Sequence, residues 1–305
     1  MKKACEVAFL KVVELGSIRA AARALDQDPS GISRRVAQLE QRLGAKLVER
    51  RGNATIATAQ GQLYYERLSS IIGQLEALEA EVSGEDLVPS GLLRVTSAID
   101  FGQEFVADWL LDYRRKFADV EFDLVLASGF VDMTQNGIDV ALRVGELPDS
   151  RLIAKKLADV PRVLVASPGY LKRKGTPWHP GDLQDHEFVF FSPTNRQQPL
   201  RLLGPDNVPV RVQRSGGIAI NAVRSAVNAV VAGHGIHCGP LWAFAPHIAR
   251  GDIVQVLPDY TQRQLPLYAV RQPSNVVPAR ISSFINHVAE RVKSVEGLIT
   301  SDAPA

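Results

Sequence analysis

The sequence predicts a multidomain α+β protein, in which a small helical unit and a long helix precede an α/β body of two lobes. A chain of 305 residues is too long for one ordinary hydrophobic core, so a domain boundary is expected. Apolar residues recur at helical spacing up to residue 84, and strand-like runs alternate with helical runs from residue 92 onwards. With 46% hydrophobic and 22% charged residues, the composition is that of a folded globular protein.

Three short helices are predicted at the amino-terminal end. The first ends at Gly16, and Ser17 can cap the second. Asp28 can cap the third, which runs from Pro29 to Leu43. Helix, short turn and helix in this order is the arrangement of a helix-turn-helix motif, which binds DNA through its second helix.

The third helix has an apolar stripe and an opposite polar face. The stripe, at steps of four and three, consists of Ile32, Val36, Leu39 and Leu43, and the opposite face of Ser30, Arg34, Ala37 and Gln41. Small polar groups and an arginine near the helix start are suited to reading base edges in a groove. A plain solvent-facing surface is the alternative.

A basic hairpin is predicted directly after this helix. Residues 47–58 form two short strands about a turn at Gly52 and Asn53, a pattern that indicates a wing touching phosphates or the minor groove. Residues 1–60 carry eleven Lys or Arg and six Asp or Glu, hence +5, which leaves −3 on the remainder of a +2 chain. An uneven solvated surface could also produce this charge distribution. The candidate DNA contacts are Ser17, Arg19, Ser30, Ser33, Arg34, Gln41, Arg50, Arg51 and Asn53.

A long helix from Gly61 to about Gly84 carries a heptad seam. Its members are Tyr64, Leu68, Ile71, Leu75, Leu78 and Val82. Because the helix lies between the amino-terminal unit and the linker 87–91, we expect the seam to pair two copies of the chain. Packing against its own chain is the alternative.

These segments resemble the LysR-type transcriptional regulators over nearly the whole chain. LGSIRAAARAL is similar to the family's second helix, ISRRVAQLEQRLGAKLVER to its recognition helix and wing entry, and TAQG at 58–61 to its linker-helix entry. The carboxyl-terminal part agrees through GLLRVTSAIDFG, NGIDVALRVGELPDS, ASPGYL, HPGDLQDH and GDIVQVLP.

The resemblance implies a division of the chain and a set of partners. A winged helix-turn-helix domain at 1–60 and a linker and dimerisation helix with a hinge at 61–91 precede a periplasmic-binding-protein-like effector domain at 92–293. Its first lobe comprises 92–162 and 268–293, its second lobe 163–267, and a flexible tail follows at 294–305. The implied partners are double-stranded DNA, a second copy or a dimer of dimers, a small-molecule effector and RNA polymerase.

Two positions depart from the family pattern. At 27–31 the chain reads QDPSG where VSQPA is common, so the usual glutamine contact is absent and Ser30, Ser33 and Arg34 become the expected groove contacts. Asp100 stands where serine or threonine is common at a helix amino terminus. It could cap the helix or contact a ligand, and we expect capping in preference to ligand contact.

The predicted effector site is lined mainly by neutral side chains. Its residues are Ser97, Ile99, Asp100, Phe101, Ser128 and Val144 from the first lobe, and Ser192, Asn195 and Asn221 from the second. Because Asp100 adds negative charge, we expect a neutral or cationic effector, or none.

Other functions find less support. The sequence has no GxSxG, Walker or GxGxxG motif, so neither an enzyme nor a cofactor is expected. His234, His237 and Cys238 could indicate a metal sensor, although they lie in an apolar strand pattern with glycine turns, and no metal is expected. A solute-binding protein without regulation would explain 92–293 but not the basic amino-terminal unit.

The compartment follows from the cysteines and the amino terminus. Cys5 and Cys238 form no CxxC pair, and Glu6 and Lys11 interrupt the first apolar stretch, so a cytoplasmic protein is expected. Residues 225–249 lack charged side chains but contain glycines, prolines and histidines, which predicts buried loop and strand and no membrane span.

Overall fold

The amino-terminal unit is a three-helix domain with a two-stranded wing. A computed structural model describes residues 2–51, 54–83, 88–129, 131–133, 135–147, 151–192, 194, 196, 198–274 and 277–300. The first elements are α1 (Lys2–Leu15), α2 (Ile18–Ala24), α3 (Pro29–Leu43), β1 (Val48–Arg51), β2 (Ala54–Ala57) and the long α4 (Ala59–Ser83).

The helix ends in this domain form as the sequence predicts. Ser17 Oγ accepts the amide of Ala20 at 3.4 Å, and Asp28 Oδ1 accepts the amide of Gly31 at 2.7 Å. Gly44 closes α3 with a left-handed φ of 65°, a conformation that favours glycine. These caps fix the length of α3 and the direction in which its first turn points.

The stripe of α3 faces the core of the domain. Ile32, Val36 and Leu39 are buried, whereas Leu43 in the last turn is 42% exposed. The buried side chains that share this core are Ala8, Phe9, Leu10, Val12, Ala21, Ala22, Ile32, Val36, Leu39, Leu47, Tyr65 and Leu68.

The first lobe of the body contains a five-stranded sheet with helices on one face. Its elements up to the crossover are β3 (Gly91–Ser97), α5 (Ile99–Phe101), a π-helical turn (Gly102–Val106), α6 (Ala107–Lys116), β4 (Val120–Leu126), β5 (Val140–Val144) and β6 (Ile153–Val160).

The second lobe contains smaller sheets and three helices. Its elements are β7 (Arg162–Ala166), α7 (Pro168–Lys174), a 3-10 turn (Pro180–Asp185), β8 (Glu187–Phe190), β9 (Leu200–Leu203), β10 (Pro209–Val212), β11 (Ser215–Ala219), α8 (Val223–Val231), β12 (His237–Pro240), α9 (Leu241–Arg250) and β13 (Val254–Gln255). The chain then returns to the first lobe as β14 (Leu265–Arg271) and α10 (Ala279–Val292).

The strand directions bring the functional ends of the first lobe together. The sheet order is β4-β3-β5-β14-β6; β3 pairs parallel with β4 and β5, while β14 runs antiparallel to both β5 and β6. Strands β3 to β6 therefore all point the same way. Their carboxyl ends lie along one edge, which is where open α/β sheets bind ligands.

The lobe boundaries differ slightly from the expected ones. Strand β14 begins at Leu265, three residues before the expected return at 268, and its first residues pair with β6. Arg162, expected in the first lobe, pairs with Pro240 in the second-lobe sheet. Hydrogen bonding across the sheet sets these ends, whereas the sequence pattern marks only the apolar middle of a strand.

The composition of residues 225–249 predicted buried loop and strand, but the structure differs from this expectation. These residues contain most of α8, all of β12 and nearly all of α9. Pro246 lies inside α9, and Gly251 closes that helix with a φ of 77°. The proline obscured the helical pattern, although burial of Trp242, Phe244 and Ala245 stabilises the helix. No helix in the described residues is long and apolar enough to cross a membrane.

The carboxyl-terminal segment is packed as far as residue 300, contrary to the expected flexible tail from 294. Ile299 and Asp159 exchange backbone hydrogen bonds of 2.7 and 2.9 Å. Gly297, with a φ of 84°, passes so close to α9 that an added Cβ would lie 2.6 Å from the amide nitrogen of Trp242. The segment therefore touches β6 of the first lobe and α9 of the second. Residues 301–305 lie outside the described part of the chain.

Candidate functional site

The outer face of α3 presents the polar side chains predicted for DNA contact. Ser30, Arg34 and Gln41 are exposed, and Ser33 is half-buried. The Ser30 hydroxyl donates to the Asp28 carboxylate; together with the Gly31 amide it holds the pKa of that carboxyl below its usual range. The carboxylate thus acts as a helix cap, and the Arg34 guanidinium, whose charge also lowers the pKa of this carboxyl, is exposed on the same face.

The other predicted DNA contacts are distributed around α3. Ser17 uses its hydroxyl as the α2 cap, and Arg19 is exposed in the first turn of that helix. Arg50 and Arg51 belong to β1 of the wing, and Asn53 lies outside the described residues.

Glu40 ties α3 to the wing and was not singled out from the sequence. Its carboxylate is only 7% exposed and accepts the amides of Leu47 at 2.9 Å and Val48 at 3.2 Å, and the ammonium of Lys46 at 2.6 Å. Burial raises the pKa of Glu40, but these hydrogen bonds outweigh it, so the pKa is lowered. The wing therefore begins at a position fixed by the helix.

A second junction joins the wing to α4. Thr58 Oγ1 donates to the carbonyl of Lys46 at 2.6 Å and accepts the amide of Gly61 at 3.0 Å, so Thr58 caps α4. An added Cβ on Gly61 would lie 1.8 Å from the Leu47 carbonyl oxygen, so only glycine fits there. This geometry explains the threonine and glycine of the TAQG sequence in physical terms.

The predicted dimerisation seam on α4 divides into two parts. Leu68 is buried in the core of the amino-terminal domain, and the half-buried Tyr64 ring lies 5.7 Å from that of Phe9. These two residues therefore contact their own chain, because the first turns of α4 cover α1. Ile71 and Leu75 are 60% and 36% exposed. Leu78 and Val82 lie within α4, but their side chains are outside the described set.

An aromatic cluster joins the two lobes of the body. Phe101 and Phe105 lie at 5.9 and 5.4 Å from Trp242 of the second lobe, measured between ring centroids, and Phe105 stacks on Trp109 at 5.8 Å. Phe101 is 1% exposed. It was predicted to line the effector site but is instead part of this cluster.

Asp100 caps a helix, but not its own. Ala98 occupies the N-cap position of α5 and makes no side-chain cap there. Asp100 Oδ1 instead accepts the amide of Arg224, the second residue of α8, at 3.4 Å. The N-cap of α8 is Ala222, which has no side-chain acceptor, so the first lobe supplies the carboxylate that this helix amino terminus favours.

A groove of about 510 Å³ lies beside this contact. Charged side chains of both lobes line it, with an apolar floor around Trp242. The lining residues are Asp100, Gln103, Glu104, Val223, Arg224, Val227, Asn228, Trp242, Ala243, Pro246, His247 and Arg250.

The remaining predicted effector residues that the structure describes lie at or just after strand ends and differ in exposure. Ser97 is fully buried, and its Oγ has no hydrogen-bond partner within the described residues. Ile99, Ser128 and Asn221 are exposed, and Val144 is half-buried. The Ser192 hydroxyl lies 2.5 Å from that of Thr194, and Asn195 is outside the described residues.

Arg143 is a buried charge that the sequence analysis missed. It is 7% exposed, next to the last residue of β5, and donates to Thr96 Oγ1 at 3.1 Å and to the Ala127 carbonyl at 3.3 Å. A single cation inside the apolar run VALRV is the signal that could have identified it.

The histidine and cysteine cluster does not form a metal centre. His237 is buried with Nδ1 at 2.6 Å from the Val189 carbonyl, and burial lowers the pKa of this imidazole to about 4. Burial raises the pKa of the Cys238 thiol, and His234 is exposed. The described residues contain no group of three or more His, Cys, Asp or Glu side chains that could hold a metal ion.

A basic winged helix-turn-helix joined by a long helix to a two-lobed α/β body defines a DNA-binding regulator with a ligand-binding domain. The family model described as bacterial regulatory helix-turn-helix protein, lysR family, matches residues 7–62, and the LysR substrate binding domain matches 88–293. The chain belongs to the LysR family of transcriptional regulators. Members of this family regulate transcription and are not enzymes.

Relatives agree with this assignment over almost the full length. The chain is 30% identical to the HTH-type transcriptional activator AaeR of Escherichia coli over 284 residues, covering 92% of this chain and 91% of AaeR. It is 32% identical to an HTH-type transcriptional repressor of Pseudomonas aeruginosa over 285 residues, covering 92% and 89%. The structure of CrgA from Neisseria meningitidis matches with a TM-score of 0.60 and 27% identity, covering 94% and 98%.

Proposed function

We propose that this chain is a homodimeric regulator that reads duplex DNA with α3 and the wing, and responds to a small molecule bound between its two lobes. The observation that carries the DNA part is the exposed Arg34 on the outer face of a helix that is capped at both ends and anchored to the wing through Glu40. RNA polymerase is the further partner on which such a regulator acts.

Self-association follows from the exposed part of the α4 seam. Ile71 and Leu75 are one turn apart on a helix whose preceding turns pack into their own domain. Two large apolar side chains on an extended helix are suited to pairing with the same helix of a second copy. The pairing places two α3 helices on one DNA molecule, which matches two half-sites.

Effector binding is supported by the position of polar groups from both lobes. Asp100 and Arg224 meet where the carboxyl edge of the first sheet faces the start of α8, and the 510 Å³ groove opens beside them. A ligand bound at this junction changes the relative position of the lobes, which is the means by which a two-lobed domain transmits binding.

The DNA proposal is tested by selecting duplexes from a random library with the full chain and measuring affinity for the selected site at fixed salt. Arg34→Ala is expected to weaken that affinity by about 1–3 kcal/mol and to relax the preference at one base pair, since an arginine on a base edge contributes this much. Lys11→Ala removes the same charge from α1 and serves as the control. Unchanged affinity in Arg34→Ala removes this residue from the interface, and a parent chain that selects no sequence refutes the proposal.

A further inference from the structure

A second cavity, of about 560 Å³, lies between the amino-terminal domain and the first lobe of the body. One wall belongs to α1 and α4, and the other to the first-lobe chain around the starts of β3, β4 and α10. The described residues that line it include none of those around the inter-lobe groove, which lies beyond the carboxyl end of β3. This cavity is therefore a separate site, and its size is that of sites for small organic molecules.

Arg280 lines this cavity with a buried guanidinium that lacks a hydrogen-bond acceptor. The residue is 8% exposed, and its Nε has no hydrogen-bond partner among the described residues. Asp139 Oδ1 lies 4.0 Å from Nη2, which is too far for a hydrogen bond, and the other oxygen of that carboxylate accepts the amide of Arg94. A buried donor without an acceptor costs free energy, and a carboxylate is an acceptor whose geometry matches a guanidinium. Arg280 therefore favours a carboxylate within the cavity.

The charges that line the cavity are balanced. The cations are Lys11, Arg114 and Arg280, and the anions are Glu14, Asp119 and Glu121. Lys11 and Glu14 pair with each other on α1 at 2.7 Å. No ion pair formed by the described residues includes Arg114, Asp119 or Glu121. A ligand with one charge would be repelled by part of this set, whereas a ligand with both charges complements it.

The wall formed by the amino-terminal domain contains an apolar strip. Val7 of α1 and Ile72 of α4 are half-buried, and Leu10 of α1 is 8% exposed and belongs to the core of that domain. Leu92 of β3, also half-buried, lines the cavity from the body. An apolar group of a ligand would leave water on contact with these side chains, which favours binding.

We propose that this cavity is a second small-molecule site, which binds a zwitterion with an apolar side chain, such as an apolar α-amino acid. The ligand carboxylate accepts hydrogen bonds from Arg280, its ammonium lies beside Asp119 and Glu121, and its side chain contacts α1 and α4. Because the walls come from the DNA-binding domain and from the body, a bound ligand holds the two in one relative position. The site does not depend on the proposed effector binding between the lobes.

The test is isothermal titration calorimetry of the full chain with leucine, isoleucine, valine, methionine, phenylalanine and tryptophan. At least one of them is expected to bind. It is then compared with the two molecules that lack one of its charges, which for phenylalanine are 2-phenylethylamine and 3-phenylpropanoate. Each of these is expected to bind about tenfold more weakly or less, because one hydrogen-bonded charge is lost.

Variants of the body wall locate the two ends of the ligand. Arg280→Gln is expected to weaken binding of the amino acid by about tenfold or more and to leave binding of the amine unchanged, since the amine has no carboxylate. The double variant Asp119→Asn, Glu121→Gln is expected to weaken the amino acid and not the deaminated acid. These two carboxylates are exposed, so the double variant keeps the test valid if Arg280→Gln does not fold.

Two arginines away from the cavity serve as controls. Arg115→Gln changes an exposed neighbour of Arg114 that pairs with Asp112 at 2.7 Å, and should bind the amino acid as the parent does. Arg224→Gln changes the inter-lobe groove and should also have no effect.

Four results would overturn the proposal. They are no binding of any of these amino acids, equal affinity for a molecule with a single charge, parent affinity in either body-wall variant, and weaker binding in Arg224→Gln, which would place the amino acid in the inter-lobe groove. Affinity for the selected DNA duplex, measured on the same preparations, tests the proposed function separately.

Discussion

Replacement of Glu40 tests whether the recognition helix positions the wing. The carboxylate receives two backbone amides of the chain entering β1, and one of them, the Leu47 amide, is buried. The third donor, Lys46, has a side chain that is 80% exposed, so that ion pair contributes at most about 1 kcal/mol. The two hydrogen bonds from backbone amides therefore provide most of the stabilisation that Glu40 contributes.

The expected magnitude follows from these contacts. A hydrogen bond to a charged group contributes about 1.5–3 kcal/mol, and the Val48 bond is the longer of the two at 3.2 Å, so Glu40→Ala should cost about 3–4 kcal/mol. Glu40→Gln keeps an acceptor oxygen for Leu47 but loses the charge, and should cost about 1–2 kcal/mol. The total free energy of unfolding of a domain of this size is not much larger than such losses.

The assay is hydrogen exchange of the peptide spanning 44–58, together with urea unfolding. Glu40→Gln should reduce the protection of the Leu47 and Val48 amides, while Glu14→Gln, which alters a more exposed carboxylate paired with Lys11, should leave it unchanged. Equal protection and equal unfolding midpoints in Glu40→Gln and the parent would refute this account of the wing.

The same carboxylate gives a pH dependence of known sign. Because the folded pKa of Glu40 is lowered, its contribution to stability is complete above the unfolded value of about 4.3 and is lost as the pH falls through the folded value. Acid should therefore destabilise the wing of the parent below about pH 4.3, and Glu40→Gln should lack that part of the dependence.

Other predictions concern assembly, the carboxyl-terminal segment and the lobe contact. Leu75→Asp should yield monomers in sedimentation at micromolar protein because two carboxylates would meet in an apolar seam, whereas Leu63→Asp, off the seam and 50% exposed in the parent, should not. Gly297→Ala should destabilise the chain by about 2–3 kcal/mol in urea unfolding. Gly251 has a φ of 77°, but no atom lies within 4 Å of an added Cβ there, so Gly251→Ala should cost about 1 kcal/mol. Equal losses would mean that contact with α9 is unimportant. Asp100→Ala should lower the stability of the body by about 0.3–1 kcal/mol, measured by tryptophan fluorescence, through loss of the carboxylate at the start of α8; no loss would remove its capping role.

The elements that the sequence predicts well are those determined by neighbouring residues. The bounds of α3, from Pro29 to Leu43, follow from Asp28 and Gly44, whose caps involve backbone groups within a few residues. An apolar stripe at helical spacing coincides with these end signals, so no distant contact is needed to define the element.

The contacts that the sequence did not predict are those that depend on what lies opposite a residue in space. Phe101 directly follows Asp100 after β3, but its ring is buried against that of Trp109, eight residues later, and that of Trp242, which is far away in sequence. Asp100 caps α8, more than a hundred residues later in the chain, instead of its own helix. Periodicity reports which face of an element is apolar and contains no information on the identity of the element that covers it. An unexpected charge within a buried strand, as at position 143, is an exception, because its cost is evident before any partner is known.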